Sequence, residues 1–143
     1  MPLESLIQAP RGIIRFYWGG TCSSGALRVR HCAALDKAIL MTTSPLLMKE
    51  ADQATFGKVE KLVRLSRYGG DCYAYCMLAA GHVDLVIETE LKPHDILPLI
   101  PIIAGAGGIV TAWDGGSPNG GGRIIAAGDE RVHAAAMKVL ARA

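Results

Sequence analysis

The sequence has little net charge and no run of like charges. Its 15 lysine and arginine residues and 13 aspartate and glutamate residues leave a formal net charge of +2 at pH 7. Such a small charge, with the basic residues scattered, argues against nucleic acid or an anionic membrane as partner. Half of the 143 residues are apolar, which is typical of one globular domain rather than of a disordered chain.

The sequence also lacks a Cys-x-x-Cys pair. Its four cysteines are Cys22, Cys32, Cys72 and Cys76. Cys72 and Cys76 are predicted on one helix face, where residues four apart do not easily reach disulfide geometry, and no nearby histidine pair completes a zinc site. We therefore expect buried free thiols and a reducing, cytoplasmic environment.

A long apolar run suited to a membrane helix is absent as well, and so is the apolar core of a signal peptide. Residues 1–19 carry Glu4, Arg11 and Arg15, unlike a secretory leader. The uncharged stretch 96–113 is just long enough to span a bilayer, but it contains two prolines and three glycines. We predict a buried helix followed by a strand there, and no membrane contact.

The apolar patterns alternate between strand and helix periods along the chain. Short apolar or alternating runs predict strands at 38–43, 63–68, 83–88, 108–113 and 123–127. Helices are predicted from Asp52, from Asp71, from Asp95 and after Asp129, and a loop at 117–122 joins the last two strands. This order indicates the α/β class, with a mixed or mostly parallel sheet flanked by helices. Residues 1–30 have the weakest pattern and are predicted to be a remnant or a non-native start, with the domain at 31–143.

The loop from Glu88 to Asp95 carries the most informative polar residues. A strand ends at Glu88, and Asp95 opens an apolar helix. Ligands of open α/β sheets gather beyond the carboxyl ends of strands, so Asp95 is a candidate ligand for a hard divalent cation. The alternative is that Asp95 only caps the helix. Glu88 and Glu90 are expected on the same side of the extended chain.

A second candidate lies where Gly69 and Gly70 join a strand to a helix that starts at Asp71. Two glycines there leave backbone amides exposed at a helix start, which suits an anionic or polar ligand. A simple cap with a tight turn remains the alternative. The glycines at 105–108 follow a helix and precede a strand, the reverse of a dinucleotide fingerprint, so nucleotide binding is not expected there.

Three segments resemble histidinol-phosphatases of the inositol monophosphatase superfamily. They are Arg67-Tyr-Gly-Gly-Asp-Cys-Tyr-Ala-Tyr75, Leu78-Ala-Ala-Gly-His-Val-Asp-Leu-Val86 and Leu91-Lys-Pro-His-Asp95. The resemblance implies the carboxy-terminal domain of that fold. It implies that Asp95 is a Mg²⁺ ligand and that Glu88 lies on the substrate side, together with Asp71, Gly69 and Gly70.

One family motif is not found in this chain. The family's other metal ligands lie in an amino-terminal half, which holds an Asp-Pro-Ile-Asp-Gly-Thr motif that the resemblance does not extend to. We therefore expect an incomplete Mg²⁺ site, no complete catalytic set in this chain, and little activity without a missing amino-terminal half as partner. A truncated product, a split protein and an excised domain all remain open.

The resulting expectation is a fragment of a cytoplasmic phosphatase that hydrolyses histidinol phosphate, a step of histidine biosynthesis. A small phosphate monoester would be its ligand. One alternative is a fragment of an inositol, sugar or nucleotide phosphate monoesterase. Another is a non-catalytic interaction module, since an uncovered apolar face would make the chain self-associate or form homo-oligomers.

Overall fold

The computed structural model describes residues 26–141 in full and the backbone of residues 16–18 and 21–23. Strands β1 (Phe16–Trp18) and β2 (Thr21–Ser23) pair with each other in antiparallel orientation. Most of the segment 1–30, which the sequence predicts to be a remnant or a non-native start, lies outside the described residues.

The remaining elements alternate between strand and helix as far as β5, after which two helices and then two strands follow one another. The strands are β3 (Ile39–Thr42), β4 (Leu65–Tyr68), β5 (Leu85–Leu91), β6 (Ile109–Ala112) and β7 (Gly122–Ala127). The helices are α1 (Glu50–Glu60), α2 (Asp71–Ala79), α3 (Pro93–Ile96), α4 (Leu99–Gly105) and α5 (Glu130–Leu140).

The five strands β3 to β7 form one mixed sheet in the order β4-β3-β5-β7-β6. Strand β3 runs parallel to β4 and β5, whereas β7 runs antiparallel to β5 and β6. Helical crossovers join the parallel neighbours, and the short connection from β6 to β7 suits an antiparallel pair. The predicted α/β class with a mixed sheet is confirmed.

Helices cover both faces of this sheet. On one face, Phe56 of α1 and Val132 of α5 pack over Leu40 and Ile87. The other face carries α2, α3 and α4, whose buried residues join Val86 and Ile124 of the sheet. Residues 85–88 and 124–127 are buried throughout, as expected of central strands with helices on both sides.

The long apolar helix predicted from Asp95 is two helices. Helix α3 ends at Ile96, and α4 begins at Leu99 after Pro98; a proline cannot continue the hydrogen bonding of a preceding helix. This helix was expected to be enclosed by protein on every side, but Pro101 and Ala104 are exposed. Ile96, Leu99 and Ile103 form its buried side.

Two predicted helix ends are confirmed and one is corrected. The Asp129 side chain caps α5 by accepting a hydrogen bond from the Arg131 amide, and Gly81 after α2 has φ +80°. Helix α1, however, begins after Lys49, which places Asp52 inside its first turn. Asp52 is buried there and pairs with Arg123 at 2.8 Å.

Two buried carboxylates hold the segment before β3 against the domain. Arg30 binds Asp84 through Nε at 2.7 Å and Nη2 at 2.5 Å, and the Ile39 amide donates to the same carboxylate at 2.7 Å. The Cys32 amide donates to Asp129 at 3.0 Å. None of the helices in the described part of the chain has the length and hydrophobicity of a membrane span.

Candidate functional site

Three strand ends meet at one edge of the sheet. Because β3, β4 and β5 are parallel, the residues that follow Thr42 and Tyr68 and the end of β5 lie at the same edge. Parallel sheets place their ligand sites at this edge. Glu88, the Gly69–Gly70 pair and α3 are therefore brought to the same edge.

Glu88 is buried, and one of its carboxylate oxygens is held by Thr43. Both the amide and the hydroxyl of Thr43 donate to Oε1 of Glu88, each at 2.7 Å. Burial raises the pKa of Glu88 above its ordinary value, and the two Thr43 hydrogen bonds oppose that rise. The negative charges of Asp71 and Asp95 raise the same pKa further. Both carboxylates therefore act on Glu88 through space.

Strand β5 bulges directly after Glu88. Glu88 pairs with Ile124 of β7, whereas Leu91 pairs with Gly122, so β5 has one extra residue there. Glu90 in the bulge has φ +60°. Glu90 was expected to share the environment of Glu88, but the bulge breaks the strand alternation. Its side chain is half-exposed and pairs with Lys49 at 3.0 Å.

The Gly69–Gly70 pair joins β4 to α2, as predicted. The two positions require glycine for different structural reasons. Gly69 has φ +80° with open space where a side chain would be. A Cβ at Gly70 would lie 2.7 Å from the Met41 side chain. The Gly69 amide was expected to face a ligand, but it donates to the Thr43 carbonyl at 2.8 Å.

Asp71 and Asp95 present carboxylates from the starts of two helices. Asp71 is exposed and has φ +42°, an uncommon conformation for a residue other than glycine and one often found at functional sites. Asp95 is the third residue of α3 rather than its N-cap, which is Lys92. Oδ2 of Asp95 accepts from the Lys92 amide at 2.7 Å, and Oδ1 lies 3.5 Å from Nε2 of His94.

Tyr75 lies beneath these carboxylates and was not identified from the sequence. It follows Asp71 by one helical turn of α2, on the same face. Its side chain is 2% exposed, and its hydroxyl has no hydrogen-bond partner within the described residues. Burial, and then the charges of Glu88 and Asp95, raise the pKa of Tyr75 well above its ordinary value.

A divalent cation such as Mg²⁺ requires several converging oxygen ligands. Across residues 26–141, no group of three or more His, Cys, Asp or Glu side chains could hold a metal ion. The Asp95 side chain is 44% exposed, so it can offer one oxygen. The described residues therefore offer a divalent cation a single ligand, the Asp95 carboxylate.

Sequence reasoning also missed Thr43. It follows β3 immediately, and a hydroxyl residue at the carboxyl end of a buried strand was the available signal. Tyr75 gave no such signal, because an aromatic residue on the buried face of a helix is usually part of the core. The pairing of β3 with β5 places Thr43 beside Glu88, and the packing of α2 against β5 brings Tyr75 near it.

This arrangement suits a small ligand with hydrogen-bond donors or positive charge. Glu88 offers Oε2, which makes no hydrogen bond to the described residues, and Asp71 and Asp95 are exposed around it. Carboxylates accept such groups strongly.

Comparison with known proteins gives a consistent result. A family model described as "Inositol monophosphatase family" matches residues 2–143. The chain is 39% identical to the bifunctional phosphatase IMPL2, chloroplastic, of Arabidopsis thaliana, over 97% of this chain and 44% of that protein. It is 33% identical to the histidinol-phosphatase of Mycobacterium tuberculosis, over 90% of this chain and 54% of that protein.

Solved structures agree with this match. An inositol monophosphatase from Zymomonas mobilis superposes with a TM-score of 0.80 at 39% identity, covering 85% of this chain and 49% of that one. An IMPase from Thermotoga maritima gives 0.72 at 23% identity, covering 91% and 52%, which supports the fold alone. The chain thus spans about half the length of the relatives it matches.

Proposed function

The chain belongs to the inositol monophosphatase family, and from that premise we propose that it supplies the substrate side of a magnesium-dependent phosphatase site. We further propose histidinol phosphate as the ester, with Glu88 and Asp71 contacting the organic part of the substrate and Asp95 as a metal ligand. The observation that carries this proposal is the cluster of three carboxylates at the carboxyl edge of the sheet, where Asp71 and Asp95 both act on the buried Glu88.

The charge of this cluster supports a cationic substrate. Histidinol phosphate carries an ammonium group and an imidazole beside its phosphate, and carboxylates such as Glu88 and Asp71 would accept hydrogen bonds from both. Gly69 would contribute open space for the substrate rather than its amide, which already donates to Thr43. Gly70 would keep the backbone close to β3.

Asp95 would hold Mg²⁺ only together with ligands from elsewhere. Mg²⁺ keeps its waters unless several oxygens converge on it, and Asp95 offers one. When bound, the ion would supply charge for the phosphate oxygens and a more acidic water. We therefore expect little turnover by this chain alone and propose that a further segment, of the kind found in the amino-terminal half of the family, completes the site.

An inositol phosphate ester is the second candidate substrate. The structure at 39% identity belongs to a protein described as an inositol monophosphatase. A polyol hydroxyl would also donate to Glu88, so the carboxylate cluster does not exclude it. Sugar and nucleotide phosphate monoesters would meet the same acceptor.

The role of Asp95 can be tested with a paramagnetic ion. We expect Mn²⁺, added to the ¹⁵N-labelled chain reconstituted with an amino-terminal half of the family, to broaden the amide signals around Lys92 and Asp95 before others. Asp95→Asn should abolish the effect. Asp36→Asn is the matched control, because Asp36 is an exposed acid that precedes β3 and so lies at the other edge of the sheet. Equal broadening in wild type and Asp95→Asn would contradict the metal role.

The substrate can be tested by reconstitution. Co-expression with the amino-terminal half of the Mycobacterium tuberculosis histidinol-phosphatase should yield Mg²⁺-dependent phosphate release from histidinol phosphate. Glu88→Gln should raise KM, whereas Asp36→Asn should not. Faster hydrolysis of inositol monophosphate would favour the second candidate, and no release from any monoester would refute the phosphatase proposal.

We also propose that the chain self-associates when it is alone. Leu46 and Leu47 are 84% and 70% exposed, and Leu97 adds a further exposed apolar side chain. Light scattering coupled to size exclusion should show oligomers or aggregates. A monodisperse monomer at high concentration would contradict this, and Leu46→Ser with Leu47→Ser should reduce any association.

A further inference from the structure

Cys72 and Cys76 lie on the solvent side of α2, and the proposed function uses neither of them. Both are free thiols, Cys72 exposed and Cys76 half-buried, whereas Cys32 is buried. The expectation of buried thiols therefore holds for Cys32 and is wrong for Cys72. The core side of α2 is formed by other residues, namely Ala74, Tyr75, Leu78 and Ala79. A ligand can reach the two thiols from solvent.

The spacing of the two thiols brings them together but disfavours a disulfide between them. Residues four apart on a helix have Cβ atoms about 5–6 Å apart, whereas a disulfide needs about 3.5–4.5 Å. One metal ion bound to both sulfurs at about 2.3 Å, the zinc–sulfur distance, allows a sulfur separation of up to twice that length, about 4.6 Å. Rotation of the two side chains brings their sulfur atoms within this separation. The pair therefore suits a shared ion better than a disulfide.

The ionisation of Cys76 agrees with a metal site and not with a nucleophile. Burial, and then the charge of Cys72, raise the pKa of Cys76 above its ordinary value. Neither cause is a positive charge, so Cys76 lacks the lowered pKa of a catalytic thiol. Two thiolates on one helix face repel each other, and a cation held between them removes that repulsion.

We propose that Cys72 and Cys76 form a binding site for a soft monovalent cation, Cu(I), held between their two sulfur atoms. Thiolates are the ligands that such an ion prefers. A structural Zn²⁺ site needs four ligands, and within residues 26–141 no group of three or more His, Cys, Asp or Glu side chains could hold a metal ion. Cu(I), in contrast, is satisfied by two thiolates in a line. Both thiol protons leave to solvent on binding, so the copper dithiolate carries one negative charge.

The copper site is separate from the proposed phosphatase function. Neither thiol is assigned to the substrate or to Mg²⁺, which is a hard cation and prefers oxygen ligands. A failure of the phosphatase proposal would therefore leave the copper proposal unaffected.

The test uses the reduced full chain under argon, with Cu(I) supplied by the coloured chelator bicinchoninate. Cys22→Ser with Cys32→Ser removes the other two thiols of the sequence, and this double variant is the reference. We expect the reference to withdraw one equivalent of Cu(I) per chain from the chelator. Adding Cys72→Ser or Cys76→Ser to it should abolish this uptake. Uptake that persists in either variant would overturn the proposal.

A measurement on the reference variant covers the case in which Cys76→Ser disturbs the fold, since Cys76 is partly buried. Each Cu(I) should displace two protons, so its apparent affinity should fall about a hundredfold for each pH unit below the thiol pKa values. A tenfold fall, which a single thiolate would give, would overturn the shared site. Zn²⁺ at the same concentration should not displace Cu(I), and displacement would overturn the choice of ion.

Discussion

Thr43 donates two hydrogen bonds to a single oxygen of Glu88, one from its amide and one from its hydroxyl, each at 2.7 Å. Its carbonyl accepts from the Gly69 amide at 2.8 Å. One residue after β3 therefore fixes both the buried carboxylate of β5 and the turn after β4. Thr43 thereby links the ends of β3 and β4 to the buried carboxylate of β5.

Thr43→Val should destabilise the fold by about 1.5–3 kcal/mol at neutral pH, the range for a hydrogen bond to a charged group. The loss of the hydroxyl raises the already elevated Glu88 pKa further. The deficit should therefore be full above the Glu88 pKa of the variant and shrink as pH falls from that pKa to the lower, also raised, pKa of wild type. It should be smallest below both, where Glu88 is protonated in both folded proteins. Urea unfolding at several pH values measures this. Thr43→Ser keeps the hydroxyl, and a deficit equal to that of Thr43→Val would contradict the explanation.

Asp84→Ala should cost about 3 kcal/mol, because a buried carboxylate with three donors is removed and the Ile39 amide is left unpaired. Arg30 would also lose its bidentate partner. Faster amide exchange at residues 28–32, measured by NMR, should accompany the loss. Asp36→Ala, at an exposed acid, should stay within about 0.5 kcal/mol. Similar unfolding midpoints for both variants would show that the Asp84 pairing contributes little.

Asp129→Ala should destabilise the chain by about 1–2 kcal/mol, because α5 loses its cap. The Arg131 side chain, chiefly, holds the pKa of Asp129 below its ordinary value of 3.8. The stability from this pair is therefore present above pH 3.8 and lost as pH falls towards the lower folded-state pKa. Asp129→Asn keeps the cap but not the charge. Its midpoint should fall less than that of Asp129→Ala, and its acid dependence below pH 4 should be weaker than in wild type.

Two glycine-to-alanine changes should have opposite effects. At Gly81, φ is +80° and a Cβ would lie 2.8 Å from the Arg28 carbonyl, so alanine should cost about 1–2 kcal/mol or more. Gly57 lies inside α1 with nothing within 4 Å of a Cβ. Alanine there should stabilise by about 0.5–1 kcal/mol through helix propensity. Thermal unfolding of both variants would test this, and equal shifts would contradict the role assigned to the Gly81 turn.

The bulge after Glu88 is a feature that the sequence pattern did not predict. Alternation along β5 placed Glu88 and Glu90 together, and the extra residue opposite Gly122 and Ile124 separates them. A bulge depends on how two strands pair, which one strand's sequence does not contain. The position of Asp95 as the third residue of α3 was likewise not predicted, because it depends on Pro93 and the Lys92 backbone.

Periodicity and local backbone preference were enough to predict the class of the fold, the succession of its strands, the Asp129 cap and the Gly81 turn. The sequence also selected Glu88 near the end of a strand and Asp71 and Asp95 near the starts of helices, although β5 continues past Glu88 to Leu91. The tertiary structure decided which partners they meet. Thr43 and Tyr75 are 45 and 13 residues from Glu88 along the chain, and only the parallel pairing of β3 with β5 and the packing of α2 bring them to it.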